Sequence, residues 1–232
     1  MTPVGGHLSR DFEAELRELR GRLLAMGARC EQAVHLAVSA FLDRDLARVS
    51  DVEALDDRID RDEMEIDELA LRMLALRQPV ADDLRFITTT LKCVTDLERI
   101  GDEAVNLCER VGEIALAPAL PPHPELAEMS AAAQSMLREA LDAFVERDAD
   151  RAEAVLRRDE EVDALYGRLL RAVFAWMRAH PDGIPAGQAV ASAAKYVERV
   201  ADHATNLAEH VVFMVRGVDV RHRHSERPRP RP

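Results

Sequence analysis

The sequence predicts an all-α fold of six long helices, arranged as two tandem, pseudo-symmetric three-helix bundles. Three observations predict this fold. Charged residues make up 32% of the 232 residues and aromatic residues only 4%, a balance typical of long amphipathic helices around an aliphatic core. Apolar residues recur at intervals of three and four over long segments, as they do on one face of a helix. The second half of the chain repeats the pattern of the first half.

Breaks in the helical pattern separate three helices in the first half. The first helix is expected over about residues 8–42, with Asp43, Arg44 and Asp45 forming a short turn after it. The second helix is expected to end near Arg77, because Pro79 cannot continue it, and the third to cover about residues 80–115. The proline-rich stretch 117–124 is the clearest linker in the chain.

Three further helices are expected in the second half, over about residues 124–145, 150–179 and 185–216. Equivalent residues lie 103 positions apart in the first two helices of each half and 100 apart in the third helices. The segment ERIGDEAVN (98–106) recurs as ERVADHATN (198–206), and six of its nine positions are identical or exchange one aliphatic residue for another. A duplicated three-helix unit explains this match.

We therefore divide the chain into a first repeat at residues 7–117, a second repeat at 124–217 and a tail at 218–232. The tail alternates arginine with proline and lacks an apolar face, so we expect it to be disordered. Its residues His222 and His224 form a His-x-His pair, which is a poor metal site in a segment of this composition.

Composition also limits the possible partners and the location. The net charge of −12 disfavours nucleic acid and suits metal cations or basic protein surfaces. The N-terminal residues contain no hydrophobic signal region, and no window approaches the roughly 18 apolar residues that span a bilayer. Cys30, Cys93 and Cys108 lie in apolar helical patterns without a Cys-x-x-Cys pair. We expect a cytoplasmic protein with reduced core cysteines, one that could dock on a membrane complex.

Pairs of acidic residues recur at equivalent positions in the two halves. Each pair is spaced i, i+4, so both carboxylates share one helical face. The second helices carry Asp56 with Asp60 and Asp159 with Asp163, and the third helices carry Glu98 with Asp102 and Glu198 with Asp202. If the faces converge, each half presents four carboxylates. This is the oxygen ligand set of hard cations, so we predict divalent or multinuclear metal ions, with magnesium, manganese, calcium, iron and zinc left open.

A solvated acidic face is the alternative interpretation of these pairs. The chain has 43 acidic residues, and we expect one further pair, Glu63 with Asp67, to be solvated in this way. Arg99 and Arg199 could neutralise the acidic faces through surface ion pairs, each worth little. His203 lies beside Asp202, but its counterpart in the first half is Glu103, so we expect an exposed histidine rather than a ligand.

Motifs of several enzyme classes are absent from the sequence. It has no phosphate-binding GxxxxGK[ST] loop, no glycine-rich dinucleotide loop, no GxSxG nucleophile motif and no HExxH metal motif. The Glu-x-x-His pairs of di-iron carboxylate bundles are also missing. We therefore predict a protein that is not an enzyme. A carboxylate-bridged metalloenzyme and a metal-free helical scaffold are the alternatives.

Five segments resemble those of the PhoU family. The segments DLERIGDEAVN (96–106) and YVERVADHATN (196–206) resemble its paired signatures, and RQPVADDLRFI (77–87) resembles the opening of its third helix. The acidic motifs DDRID (56–60) and DEEVD (159–163) resemble those of its second helix. The resemblance extends from about Leu16 to Val215 and departs from the usual signature at Ala201, where glycine is common.

This resemblance implies a function that the residues alone do not. It implies two three-helix bundles with metal clusters held by the acidic motifs, and a cytoplasmic homodimer. It also implies a negative regulator of phosphate uptake and of the phosphate-starvation response. Such a protein would act as an adaptor between the ATPase subunit of a phosphate ABC importer and a sensor histidine kinase.

Overall fold

The computed structural model describes the backbone of residues 5–220 and the side chains of residues 10–220. Over this range the chain forms six long α-helices and no β-strand, which confirms the predicted all-α fold. In chain order the helices are α1 (Gly5–Asp43), α2 (Val49–Arg77), α3 (Ala81–Ile114), α4 (Pro124–Glu146), α5 (Ala149–Ala179) and α6 (Ile184–Arg216). Single 3₁₀ turns at Leu46–Arg48 and Pro181–Gly183 precede α2 and α6. The tail beyond residue 220, with His222 and His224, lies outside the described residues.

The same two-residue turn joins the first and second helices of each repeat. Arg44 and Arg147 adopt left-handed backbone conformations, with φ of 56° and 53°. The aspartate after each arginine then caps the next helical segment, as Asp45 accepts from the Ala47 amide and Asp148 accepts from the Asp150 and Arg151 amides. A left-handed residue ends one helix and an aspartate N-cap begins the next, so the repeated Arg-Asp pair has a structural role.

One apolar core runs through both repeats. Buried residues of all six helices belong to the same cluster, which includes Phe41 and the equivalent Phe144. Phe86 of α3 packs on Phe144 of α4 with ring centroids 5.4 Å apart, and this contact joins the repeats. The three cysteines are free and buried, as predicted, and burial raises the pKa of Cys108 to about 12.

The third helices lie at the centre of the molecule. Helix α3 packs against α1 and α2, helix α6 packs against α4 and α5, and α3 and α6 pack on each other. Small residues line the buried face of α6, among them Ala194, Ala201 and Ala204. Because of this packing, α3 and α6 each present one face to the second helix of their own repeat and another face to the other repeat. Within residues 5–220 no helix is long and apolar enough to cross a membrane.

Candidate metal centres

The acidic faces of α2 and α3 converge in the first repeat. Burial, followed by the charges of Asp60, Asp102 and Glu98, raises the pKa of Asp56 to about 6. Burial and the neighbouring charges of Asp102 and Asp60 also raise the pKa of Glu98. Charges act on one another in this way only when they are close. The structure therefore brings Asp56, Asp60, Glu98 and Asp102 together, and we call these four residues the first cluster.

One oxygen of the first cluster is buried without a partner. Asp56 Oδ1 has no hydrogen-bond partner among the described residues. The absence of a side chain at Gly101 makes room for this oxygen, because a Cβ at that position would lie 2.6 Å from it. A buried carboxylate oxygen without a donor is unfavourable, and a cation would relieve it. The unpartnered oxygen and the all-oxygen donor set of the first cluster are therefore chemically suited to a cation.

Glu63 also belongs to this surface, contrary to the expectation that Glu63 and Asp67 are solvated. Both side chains are half-buried. Burial, and then the charges of Glu98 and Asp67, raises the pKa of Glu63, and Asp60 and Asp102 contribute to the same shift. Glu63 lies one helical turn beyond Asp60 on α2. The acidic face of α2 therefore extends beyond the repeated pair Asp56 and Asp60.

The second repeat forms a similar cluster on α5 and α6. Burial, then the charges of Glu198 and Asp159, raises the pKa of Asp202 to about 6, and Asp163 contributes in the same direction. We call Asp159, Asp163, Glu198 and Asp202 the second cluster. The ammonium of Lys195 opposes this shift of the Asp202 pKa, and its Nζ donates to Glu198 Oε2 at 2.5 Å.

Both clusters are open to solvent on one side. Asp56, Asp159, Glu98 and Glu198 are half-buried, and the second residue of each pair is more exposed, although the carboxyl of Asp202 is still partly shielded from water. Within the part of the chain that the structure describes, no three His, Cys, Asp or Glu side chains are grouped so that they could hold a metal ion. The helices thus bring four carboxylates into mutual repulsion without arranging them as a closed set of ligands.

A separate polar cluster between the two repeats, which the sequence analysis missed, joins α3 to α6. Asp96 Oδ1 lies 2.9 Å from His203 Nδ1 and accepts from Asn206 Nδ2 at 3.0 Å, and its Oδ2 lies 3.1 Å from His210 Nε2. Asp96 and both histidines are only 12–13% exposed. Although burial acts in the opposite direction, the three partners lower the pKa of Asp96 to about 2. The expectation that His203 is exposed was therefore wrong, because this histidine faces the other repeat.

The pseudo-symmetric position holds a different ion pair between the repeats. Glu103, the counterpart of His203, is 3% exposed and accepts from Arg199 Nη2 at 3.0 Å. Arg199 therefore neutralises a buried carboxylate of the other repeat rather than the acidic face of its own helix. In contrast, the positive charge of Arg99 acts on Glu98 of its own helix and opposes the rise in the Glu98 pKa that burial and Asp102 cause.

These features define a class of protein: an internally duplicated, all-helical bundle with one acidic cluster on each repeat and polar contacts between its two central helices. A family model described as "PhoU domain" matches residues 23–111 and again residues 126–211. The chain belongs to the PhoU family. This finding confirms the resemblance seen in the two signature segments.

Several known proteins are similar to this chain. A "Phosphate-specific transport system accessory protein PhoU homolog" of Pseudomonas aeruginosa is 42% identical over 217 residues, which are 93% of this chain and 90% of that protein. The accessory protein PhoU of Escherichia coli K12 is 32% identical over 216 residues, 93% of this chain and 90% of that protein. The crystal structure of PhoU from Pseudomonas aeruginosa matches with a TM-score of 0.86 at 41% identity, covering 89% of this chain and all of that one.

A more distant structure has the same fold. The phosphate transport system regulatory protein PhoU of Streptococcus pneumoniae matches with a TM-score of 0.84 at 28% identity, covering 90% of this chain and 99% of that one. The six-helix arrangement is therefore shared with solved proteins of the family.

Proposed function

We propose that this chain is a regulatory accessory protein of a phosphate-specific transport system, and that it acts by binding partners rather than by catalysis. The observation that supports this most strongly is the doubled PhoU domain, together with the relatives that match over about nine-tenths of their length. Those relatives are described as accessory proteins of phosphate-specific transport. The absence of enzyme motifs from the sequence supports a role without catalysis.

The proposed role is that of an adaptor with negative control. In this proposal the protein contacts the ATPase subunit of a phosphate ABC importer and a sensor histidine kinase, both from the cytoplasmic side. Phosphate uptake and the starvation response are then held down when phosphate is plentiful. The acidic surface, with a chain net charge of −12, suits basic partner surfaces. A homodimer is part of the same proposal.

Metal ions are the proposed cofactor of the adaptor. Asp56, Asp60, Glu98 and Asp102 would hold an ion in the first repeat, and the second cluster would supply the equivalent ligands. Bound there, a cation would neutralise the repelling carboxylates. The buried, unpartnered oxygen of Asp56 and the all-oxygen donor set support this proposal.

A metal-free helical scaffold is the second candidate. The observation that favours it is the open arrangement of the carboxylates. Among the described residues, no three His, Cys, Asp or Glu side chains are close enough together to bind one metal ion. A carboxylate-bridged metalloenzyme has no such support. The two surviving candidates differ in one measurable respect, which is whether chelation changes the stability of the protein.

Deleting the gene tests the regulatory role. In cells grown with ample phosphate, we expect the deletion to raise both phosphate uptake and expression of the starvation response. Wild-type protein supplied in trans should restore low levels. Unchanged uptake and expression in the deletion strain would contradict the proposed function. Affinity capture of the importer's ATPase subunit and of the kinase with the full-length chain would test the adaptor role separately.

A further inference from the structure

The two acidic clusters differ at a position next to them. Lys195 precedes Glu198 by one helical turn, and its counterpart in the first repeat is Thr95. Lys195 Nζ lies 2.5 Å from Glu198 Oε2 and 5.8 Å from the centroid of the Tyr166 ring. Thr95, by contrast, donates its hydroxyl to the backbone oxygen of Leu91 in its own helix. The second cluster therefore has a positive charge that the first lacks at the equivalent position.

A second difference concerns the half-buried aspartate that begins each acidic motif. Thr205 Oγ1 lies 3.4 Å from Asp159 Oδ1, so the second cluster offers this carboxylate a donor. The counterpart of Thr205 is Val105, which has no donor, and Asp56 Oδ1 is buried without a partner among the described residues. Asp159 Oδ1 of the second cluster thus has a hydroxyl donor, whereas the equivalent oxygen of the first cluster, Asp56 Oδ1, has none among the described residues.

The third difference is in the number of acidic groups. Glu63, whose charge acts on the first cluster, has Tyr166 as its counterpart. The aromatic face of Tyr166 is near the Lys195 ammonium, an arrangement that favours a cation. At these three positions the first cluster has a further carboxylate and no donor, whereas the second has an ammonium, a hydroxyl and an aromatic face.

We propose that Lys195 is a tethered cation of the second cluster, and that binding of divalent metal ions by this chain is therefore concentrated in the first cluster. This inference rests on the proposed metal binding and adds that the first cluster binds metal ions more tightly than the second. An ammonium already paired with Glu198 repels an incoming metal ion and competes for its ligands. At the position equivalent to Lys195 the first cluster has the neutral Thr95, which neither repels a metal ion nor pairs with Glu98.

Exchanging the two counterpart residues tests the inference. Mn²⁺ alone is titrated calorimetrically into the full-length chain and into the variants Lys195→Thr and Thr95→Lys. Removing the ammonium should tighten Mn²⁺ binding at the second cluster about tenfold, and installing it on α3 should weaken the first cluster about tenfold, the order expected for one charge at a partly screened site. Lys92→Thr, which removes an exposed lysine beside Phe213, is the charge-matched control and should leave both sites unchanged.

Two asparagine variants assign each binding event to its cluster. Asp102→Asn should abolish the tighter Mn²⁺ site, and Asp202→Asn should leave it. Lys195→Met keeps the aliphatic part of the side chain, so it repeats the charge removal if the threonine variant folds poorly; helix content by circular dichroism checks the folding of every variant.

The outcomes separate the inference from the function on which it rests. Equal weakening by Asp102→Asn and Asp202→Asn, with no effect of either lysine exchange, would overturn the order of the two sites while leaving metal binding intact. If neither the wild type nor any variant binds Mn²⁺, the metal proposal fails and the inference fails with it.

Discussion

Gly101 of α3 and Asp56 of α2 approach so closely that a methyl group at position 101 would lie 2.6 Å from Asp56 Oδ1. The glycine therefore sets where the carboxylate of the first cluster can lie. In the second repeat the equivalent residue is the fully buried Ala201. Sequence comparison of the repeats shows this difference, and only the packing of the two helices shows which atom it affects.

Replacing Gly101 with alanine should weaken Mn²⁺ binding without unfolding the protein. The new methyl group displaces Asp56 Oδ1, which is the tip of a flexible side chain. Alanine also favours the helix by roughly 0.5–1 kcal/mol relative to glycine. We expect the free energy of unfolding of the metal-free protein, measured by urea denaturation, to change by less than about 1 kcal/mol.

Gly112→Ala is the matched control on the same helix. A Cβ at this position would meet no atom within 4 Å in the described part of the chain. It should raise the free energy of unfolding by up to about 1 kcal/mol and leave Mn²⁺ affinity unchanged. If both alanine variants bind Mn²⁺ equally well, Gly101 does not position the ligand.

Much of the fold follows from the sequence because the helical signals are long and repeated. Apolar spacing, the prolines near the helix starts and the 103-residue offset place all six helices to within a few residues. In each repeat the acidic pairs come close enough for their charges to act on one another, because equivalent faces of equivalent helices meet in the same way.

Contacts between the repeats could not be predicted in this way. Asp96, His203 and His210 have the unlike counterparts Tyr196, Glu103 and Arg110, so a search for repeated residues passes over them. Their partners lie on the other third helix, and only the packing of α3 on α6 brings them together. One sequence feature could have indicated these contacts. The positions of Asp96, His203 and His210, at which the two third helices carry different residue types, lie at helical spacing, on one face of each helix.

Removing the charge of Asp96 should loosen the contact between repeats. Asp96→Asn replaces a carboxylate that meets three side chains with an amide of similar size. Because hydrogen bonds to charged groups contribute about 1.5–3 kcal/mol, we expect a loss of about 2 kcal/mol in the free energy of unfolding. Chemical denaturation at neutral pH measures this loss.

Asp82→Asn provides the comparison for that experiment. Asp82 is 68% exposed and paired only with Arg85 of its own helix among the described contacts. Exposed pairs of this kind contribute between zero and about 1 kcal/mol, so the variant should be close to wild type. A loss in Asp96→Asn no larger than in Asp82→Asn would show that the polar cluster contributes little to the interface.

Stability in the presence of a chelator should rise as the pH falls from about 7 to about 4.5. Burial and neighbouring carboxylates raise the pKa of Asp56 and Asp202 to about 6 in the folded protein, against about 3.9 in an unfolded chain. A raised carboxyl pKa contributes stability that is fully present below about pH 4 and is lost as the pH rises through about 6. Denaturant midpoints across this range measure the effect.

A double variant isolates those two groups. Asp56→Asn with Asp202→Asn cannot titrate at either position, so its midpoint should vary less with pH than that of the wild type. The depressed pKa of Asp96, about 2, acts with the opposite sign but only below about pH 4, outside this range. If the denaturant midpoint changes with pH equally in the wild type and in the double variant, neither Asp56 nor Asp202 is responsible for the pH dependence of stability.

The thermal midpoint with and without chelator tests most directly whether the duplicated carboxylates bind cations. A ligand that binds only the folded state stabilises it by mass action, so chelation should lower the midpoint of the wild type and Mn²⁺ should restore it. The double variant Asp102→Asn with Asp202→Asn should lose this response, because each cluster then lacks one ligand. A wild type that is insensitive to chelator, together with a double variant stabilised by relief of repulsion, would contradict the account and identify the carboxylates as a solvated surface.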